Sequence, residues 1–197
     1  MDRDSARRVL ALLSSVAIRH CPGMPSLTDT LCTRCGLCCD GSLFADVELT
    51  GRTEATGLEI LGLEVEDNDS NGALLLQPCV ALRGRRCSIY VHRPQCCRTF
   101  ECRLLQDARR GVVSVERARE HISEALKGIR RAKELMVQLG QRDRRLPLRE
   151  RCAEALAMET SGNPEMNRKR AELRAVMSAV ESLIRKTFLS DGERRNP

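Results

Sequence analysis

Large aromatic residues are almost missing from this 197-residue chain, which has no Trp, one Tyr and three Phe. Its core must therefore be built from Leu, Val, Ile, Ala and Met, without the rings that usually dominate burial. The same shortage counts against nucleic-acid binding, because no aromatics interleave with the basic residues and no nucleic-acid motif is recognisable. No apolar run is long enough to cross a bilayer, so no membrane role is expected. The sequence also lacks a glycine-rich phosphate loop, a Gly-x-Ser-x-Gly turn, paired catalytic carboxylates and a nucleotide-binding strand–turn–helix. Histidine is scarce as well: His20, His92 and His121 are scattered. His92 precedes Cys96 by four residues, a thin basis for a cysteine nucleophile with its base, and is a lesser candidate ligand for zinc. No catalytic residue is assigned, and whether the protein is an enzyme stays open.

Cysteine, by contrast, is abundant. Of the eleven cysteines, nine fall between Cys32 and Cys102. Disulfides would require an oxidising compartment. Near the amino terminus, Arg7 and Arg8 precede the apolar run from Val9 to Ile18, but Ser14 and Ser15 interrupt it, and Arg19 and His20 stand where a lipoprotein cleavage signal needs small residues. A secretory leader is not expected there, and the thiols are assigned to a reducing, cytoplasmic setting.

The spacing of the thiols points to metal. A Cys-x-x-Cys turn brings two sulfurs to one ion, at about 2.3 Å for zinc. Here Cys32-x-x-Cys35 overlaps Cys35-x-x-Cys38, and Cys39 follows at once. Adjacent residues project differently, so the Cys38–Cys39 doublet favours either two neighbouring sites or a thiolate bridging two ions. Cys79, Cys87, Cys97 and Cys102 complete a set of eight, which divides naturally into two four-thiolate sites, with Cys96 spare. Such a site is doubly negative with Zn²⁺ or with an oxidised [4Fe-4S] cluster. Arg34, Arg85, Arg86, Arg93, Arg98 and Arg103 flank the ligands and offer compensating charge and hydrogen bonds to sulfur. The Cys32-x-x-Cys35-x-x-Cys38 run plus one remote cysteine is a ferredoxin-like way to hold a cluster, although the usual fourth Cys-Pro is absent. Closed thiolate sites suit structural zinc equally. Binding of structural zinc, about 10–16 kcal/mol, rivals the net stability of a whole domain, so this aromatic-poor segment is expected to depend on its ion for folding.

At these residues the chain resembles the YkgJ-type cysteine-cluster family, zinc- or iron-chelating proteins named for a CxxCxxCC motif. The matching residues are Cys32-x-x-Cys35-x-x-Cys38-Cys39, Cys79, the Cys87-x-Ile89-Tyr90 element, Arg93-Pro94, and Cys97-Arg98-x-Phe100-x-Cys102. The resemblance covers residues 32 to 102 and implies metal binding through zinc or iron–sulfur. Members are often labelled Fe–S oxidoreductases, and a related cluster occurs in flagellin lysine methylases. Cys96, beside Cys97, departs from the family pattern.

The expected fold class is mainly α, with a small irregular α+β cysteine-rich module and a carboxy-terminal helical hairpin or bundle. Three parts are expected: an amphipathic helix in 1–25, the metal-binding module in 26–108 and basic helices in 109–197. Within the module, Leu43–Leu49 and Ala73–Gln77 read as strands, with a helix between them from an N-cap at Thr50 to about Leu61. The acidic turn-rich stretch from Glu64 to Gly72 lacks the spacing of a calcium loop. Tyr90 and Phe100 are expected to pack as a lid over the metal site.

Beyond the module, Ser114 is a plausible N-cap for a helix whose seam runs through Ala118, Ile122, Ala125, Ile129, Ala132, Met136 and Leu139, stopped by Gly140. Pro147 reads as the first residue of a shorter helix through about Met158, closed by Gly162. Asn163-Pro164 opens the last, with a seam through Leu173, Val176, Val180, Leu183 and Thr187. The two long helices are expected to pair antiparallel, with a dimerising coiled coil as the alternative.

Residues 109–197 carry 21 basic against 13 acidic side chains, within a net charge of +6 for the whole chain. A protein partner bound through these basic helices is expected, and nucleic acid is the weaker alternative. Taken together, the residues favour a zinc or iron–sulfur accessory metalloprotein. The alternative is an iron–sulfur oxidoreductase or an electron-transfer partner of a modifying enzyme.

Overall fold

The structure, a computed structural model, describes residues 26–68, 72–158 and 163–190. The helix expected in 1–25, with His20 and Cys21, lies outside the described residues, as does the stop at Gly162.

The first described helix, α1 (Leu27–Cys35), carries the opening Cys-x-x-Cys. Its signal in the sequence is a capping box: the Asp29 N–H donates to Ser26 Oγ at 3.1 Å, and the Ser26 N–H donates back to the Asp29 carboxylate at 3.3 Å. Gly36, left-handed at φ 74°, ends the helix. A three-stranded antiparallel sheet follows in the order β1 (Asp46–Glu48), β3 (Ala73–Leu76), β2 (Val65–Asp67). The strand expected over 43–49 is confined to β1, because Leu43 and Phe44 turn inward and pack on the main core instead of pairing. Helix α2 (Arg52–Ile60) covers the sheet through Ala55 and Leu58, against Leu49, Leu63, Ala73 and Leu75. Gly51, not Thr50, occupies its N-cap, since the Thr50 N–H is held from inside the helix by the Glu54 carboxylate at 3.0 Å.

A two-stranded hairpin, β4 (Leu82–Arg83) with β5 (Arg86–Cys87), turns at Gly84, φ 62°. After a 3₁₀ turn over Tyr90–His92 come two short helices, α3 (Gln95–Thr99) and α4 (Arg103–Arg109). The long helix α5 (Val115–Gln138) starts at Ser114, whose Oγ accepts from the Arg117 N–H at 3.1 Å. Its expected seam is buried throughout, with Leu135 added.

Helix α6 (Leu148–Ala157) has Pro147 as its N-cap, in extended backbone one residue before the first helical turn. Asn163 caps α7 (Pro164–Thr187), its side chain accepting from the Glu165 and Met166 N–H groups. The fully buried line on α7 is Leu173, Met177, Val180 and Ile184, while Val176 and Leu183 sit half-buried beside it. The expected seam is thus corrected by one position at three places, Val176 to Met177, Leu183 to Ile184 and Thr187 to Phe188, because the apolar face is wider than a coiled-coil stripe. Helices α5 and α7 run antiparallel, as expected, with Arg131 paired to Glu172 at 2.6 Å and Gly128 facing Val180.

One apolar core joins the opening of the cysteine segment to the bundle: Leu31 and Leu37 pack with Leu104, Leu105, Ile122 and Phe188. Backbone hydrogen bonds Arg103 N–H to Phe188 O and Leu148 N–H to Gly41 O, both 2.9 Å, secure the junction. The fold is mainly α with a few short strands. Among the described residues no helix is long and apolar enough to cross a membrane.

Candidate metal centre

All nine cysteines between Cys32 and Cys102 line one cavity of about 620 Å³. Six local devices supply them. Cys32 and Cys35 lie on the last turns of α1, and Cys38 and Cys39 lie in the turn after Gly36, where the Cys39 and Asp40 N–H groups both donate to Gly36 O at 3.0 Å. Cys79 follows β3, Cys87 ends β5, Cys96 and Cys97 open α3, and Cys102 is the N-cap of α4.

The two halves of the cluster meet through backbone. The Cys79 N–H donates to Cys39 O at 2.8 Å and to the buried Gln77 side-chain oxygen at 3.0 Å. Cys79 O in turn accepts from the Leu82 N–H at 2.9 Å, and Leu82 is paired with Cys87 across the hairpin. Glu54 fixes α3 from outside: the Gln95 N–H donates to its carboxylate at 2.7 Å. Burial pushes that carboxyl up, but hydrogen bonds from Thr50 and Gln95 outweigh it and hold Glu54 below its ordinary range.

Burial dominates the thiols and favours their neutral form. Cys32 is pushed up to about 11, and Cys35 and Cys39 to about 12. Cys38 is raised well above its ordinary range and Cys79 is raised, again chiefly by burial. Neighbouring sulfurs add to this: Cys102 raises Cys32, Cys35 and Cys38, while Cys79 and Cys87 raise Cys39. A hydrogen bond between the Cys96 and Cys97 thiols draws Cys96 down and pushes Cys97 up. Cys152 lies elsewhere, buried on α6 in the bundle core, where it acts as a small apolar residue.

Cations stand at the cavity wall as the flanking arginines suggested. Arg93 lies 3.6 Å over the Tyr90 ring, donates from Nε to Tyr90 O at 3.0 Å, and lowers the thiols of Cys32 and Cys39. Arg85, Arg86 and Arg98 line the same wall. Arg103 faces away, onto Asp107, and Arg34 is off the wall, its backbone carbonyl accepting from the Arg85 guanidinium at 3.0 Å. Arg109, which the spacing did not single out, also reaches the wall, paired with Glu101 at 2.9 Å.

The aromatic lid takes a different form from the one expected. Phe100 packs edge-on against Phe44 at 5.2 Å between centroids, while Tyr90 serves as the platform for Arg93. His92 is exposed and off the cavity wall.

Soft thiolates with cationic neighbours suit zinc or iron–sulfur and not magnesium or calcium, so the donor set fits the expected metals. Among the described residues, however, no three His, Cys, Asp or Glu side chains form a ready-made metal-holding group. The sulfurs ring a wide space. One zinc would require four of them to draw in to about 3.8 Å apart, the edge of a tetrahedron with 2.3 Å bonds, whereas a cluster brings its own sulfide and spans more of the opening.

A search of curated proteins and one of solved structures return no match. A family model does match residues 31–123, a segment that takes in every cavity-lining residue except Thr28 and Phe188. The matching model is that of the CxxCxxCC family, described as "putative zinc- or iron-chelating domain", and the chain is similar to it over that segment.

Proposed function

We propose that the protein is an accessory metalloprotein whose cysteine-lined cavity holds zinc or an iron–sulfur cluster through Cys32, Cys35, Cys38, Cys39, Cys79, Cys87, Cys97 and Cys102. The observation that carries this reading is the convergence of nine thiols, delivered by six separate pieces of chain, on one cavity with arginines along its wall. Burial raises the thiols of Cys32, Cys35, Cys38, Cys39 and Cys79 and so favours their neutral SH form, and a cation converts them to thiolates by displacing protons. The metal therefore does folding work: it ties α1, the hairpin, α3 and α4 together where aromatic packing is scarce. Among the described residues the cysteines form no disulfide, which suits a reducing cytoplasmic setting. The basic helices α5 and α7 offer a surface to an acidic protein partner, with nucleic acid as the lesser candidate.

A second reading is electron transfer by an iron–sulfur cluster, alone or in service of a modifying enzyme. The width of the cavity favours it: among the described residues no three donors form a ready-made group for one ion. Anaerobic purification with zinc, iron and acid-labile sulfide analysis identifies the metal, and zinc alone would exclude the second reading. A brown protein with iron and sulfide supports the electron-transfer reading, because zinc has no redox chemistry. A colourless protein with zinc supports the structural reading. A folded chain purified without either metal, and unable to take one up, would contradict both.

A further inference from the structure

Cys38 and Cys39 are neighbours in sequence, yet the structure turns them towards different companions. On one side, α1 packs against α4, bringing Cys32 and Cys35 on the last turns of α1 towards Cys102 at the α4 N-cap. These three pack against the helical core around Leu31, Leu104 and Leu105. Cys38 belongs with them by its place in the chain, directly after Leu37, which is fully buried in the same core.

On the other side, Cys39 O accepts from the Cys79 N–H, and the hairpin sets Cys87 near Cys79. Cys79, Cys96 and Cys97 pack against the separate core under the sheet, around Ala55, Leu58 and Leu75. The two features are complementary: the core that a thiol touches separates Cys32, Cys35 and Cys102 from Cys79 and Cys97, and the backbone hydrogen bonds tie Cys39 and the Cys87 hairpin to Cys79.

We infer that the cavity contains two distinct four-thiolate metal sites, one of Cys32, Cys35, Cys38 and Cys102 at its helical end and one of Cys39, Cys79, Cys87 and Cys97 at its sheet end. The inference rests on the metal-centre reading above. The doublet is the divider: one residue of chain separates the ligands of neighbouring sites, and Cys96 stays outside both sets, hydrogen bonded to Cys97. The helical-end site is built on the larger core and the sheet-end site on the smaller, so the sheet end gives up its metal first.

The test uses the full chain, loaded anaerobically with Zn²⁺ or with Fe²⁺ and sulfide, then alkylated, with each cysteine scored by mass spectrometry. In Cys102→Ser, Cys32, Cys35 and Cys38 become modified while Cys39, Cys79, Cys87 and Cys97 stay protected, and metal content falls by half. Cys87→Ser gives the reciprocal pattern. If either variant loses the helical circular dichroism of the bundle, the loaded wild-type chain is stripped stepwise with a chelator instead. Its thiols then become reactive in two groups of four, the sheet-end group first. Mixed groups, all eight thiols released in one step, or protection of Cys96 in place of Cys97 would overturn the assignment. A wild-type chain that takes up neither metal would instead overturn the metal-centre reading itself.

Discussion

The backbone N–H of Cys79 donates to the backbone carbonyl of Cys39 at 2.8 Å, joining the CxxCxxCC turn to the distal half of the cluster. Gln77 shares that N–H through its buried side-chain oxygen at 3.0 Å. Replacing Gln77 by Ala removes a buried acceptor that positions a ligand, at a cost of about 1–3 kcal/mol. Loss of such a supporting contact typically weakens metal affinity about 10–100-fold. Competition titration with a chromophoric chelator should show that loss confined to the more weakly held half of the metal.

Arg93 is the cation best placed to offset thiolate charge, being fixed over Tyr90 and acting on both Cys32 and Cys39. Arg93→Ala should weaken metal binding at both ends of the cavity, by about tenfold. Arg93→Lys should recover part of it, because the charge remains while the planar stacking on the ring is lost. An Arg93→Ala chain that binds metal with wild-type affinity would reduce this residue to surface packing.

Proton release follows from the raised thiols. Cys32 at about 11 and Cys35 and Cys39 at about 12 stand above the ordinary value of 9.0, chiefly through burial. Near neutral pH these thiols hold their protons, and a metal must displace one for each sulfur it takes. Apparent affinity therefore rises with pH through the neutral and mildly alkaline range and flattens only as pH approaches those values. Calorimetry in buffers of different ionisation enthalpy should give close to four protons released per filled site. Release of one or none would mean that the thiols are already ionised.

Gly128 marks the closest approach of the two long helices, since a Cβ added there would lie 2.7 Å from Val180 Cγ2. Val is stiff at χ1 and cannot swing aside. Gly128→Ala gains about 1 kcal/mol of helix propensity but costs roughly 1–3 kcal/mol in overpacking, so the net effect is destabilising. Urea unfolding of the metal-loaded protein should show a lower midpoint, with metal content unchanged.

The helical bundle is legible in the sequence because Ala118, Ile122, Ala125 and Ile129 recur on one helical phase and Ser114 and Asn163 are strong caps. On α7 the reading slips, since Val176 and Met177 are both apolar and periodicity alone does not choose between them. The thiol set is legible from spacing, because few other chemistries need a CxxCxxCC run. Its division between two cores is not, because the turn of Cys38 and Cys39 towards opposite partners depends on a hairpin and an N-cap that come some 40 to 60 residues later. Nor does the sequence announce Arg109 or Phe44, which reach the cavity only through tertiary packing.

X-ray absorption at the metal edge of the anaerobically purified protein tests the central claim most directly. The account predicts metal bound only by sulfur, at about 2.3 Å in the case of zinc, with iron neighbours as well if clusters are present. A spectrum dominated by nitrogen or oxygen ligands, or metal content unaffected when Cys35 and Cys39 are both replaced by Ser, would contradict it.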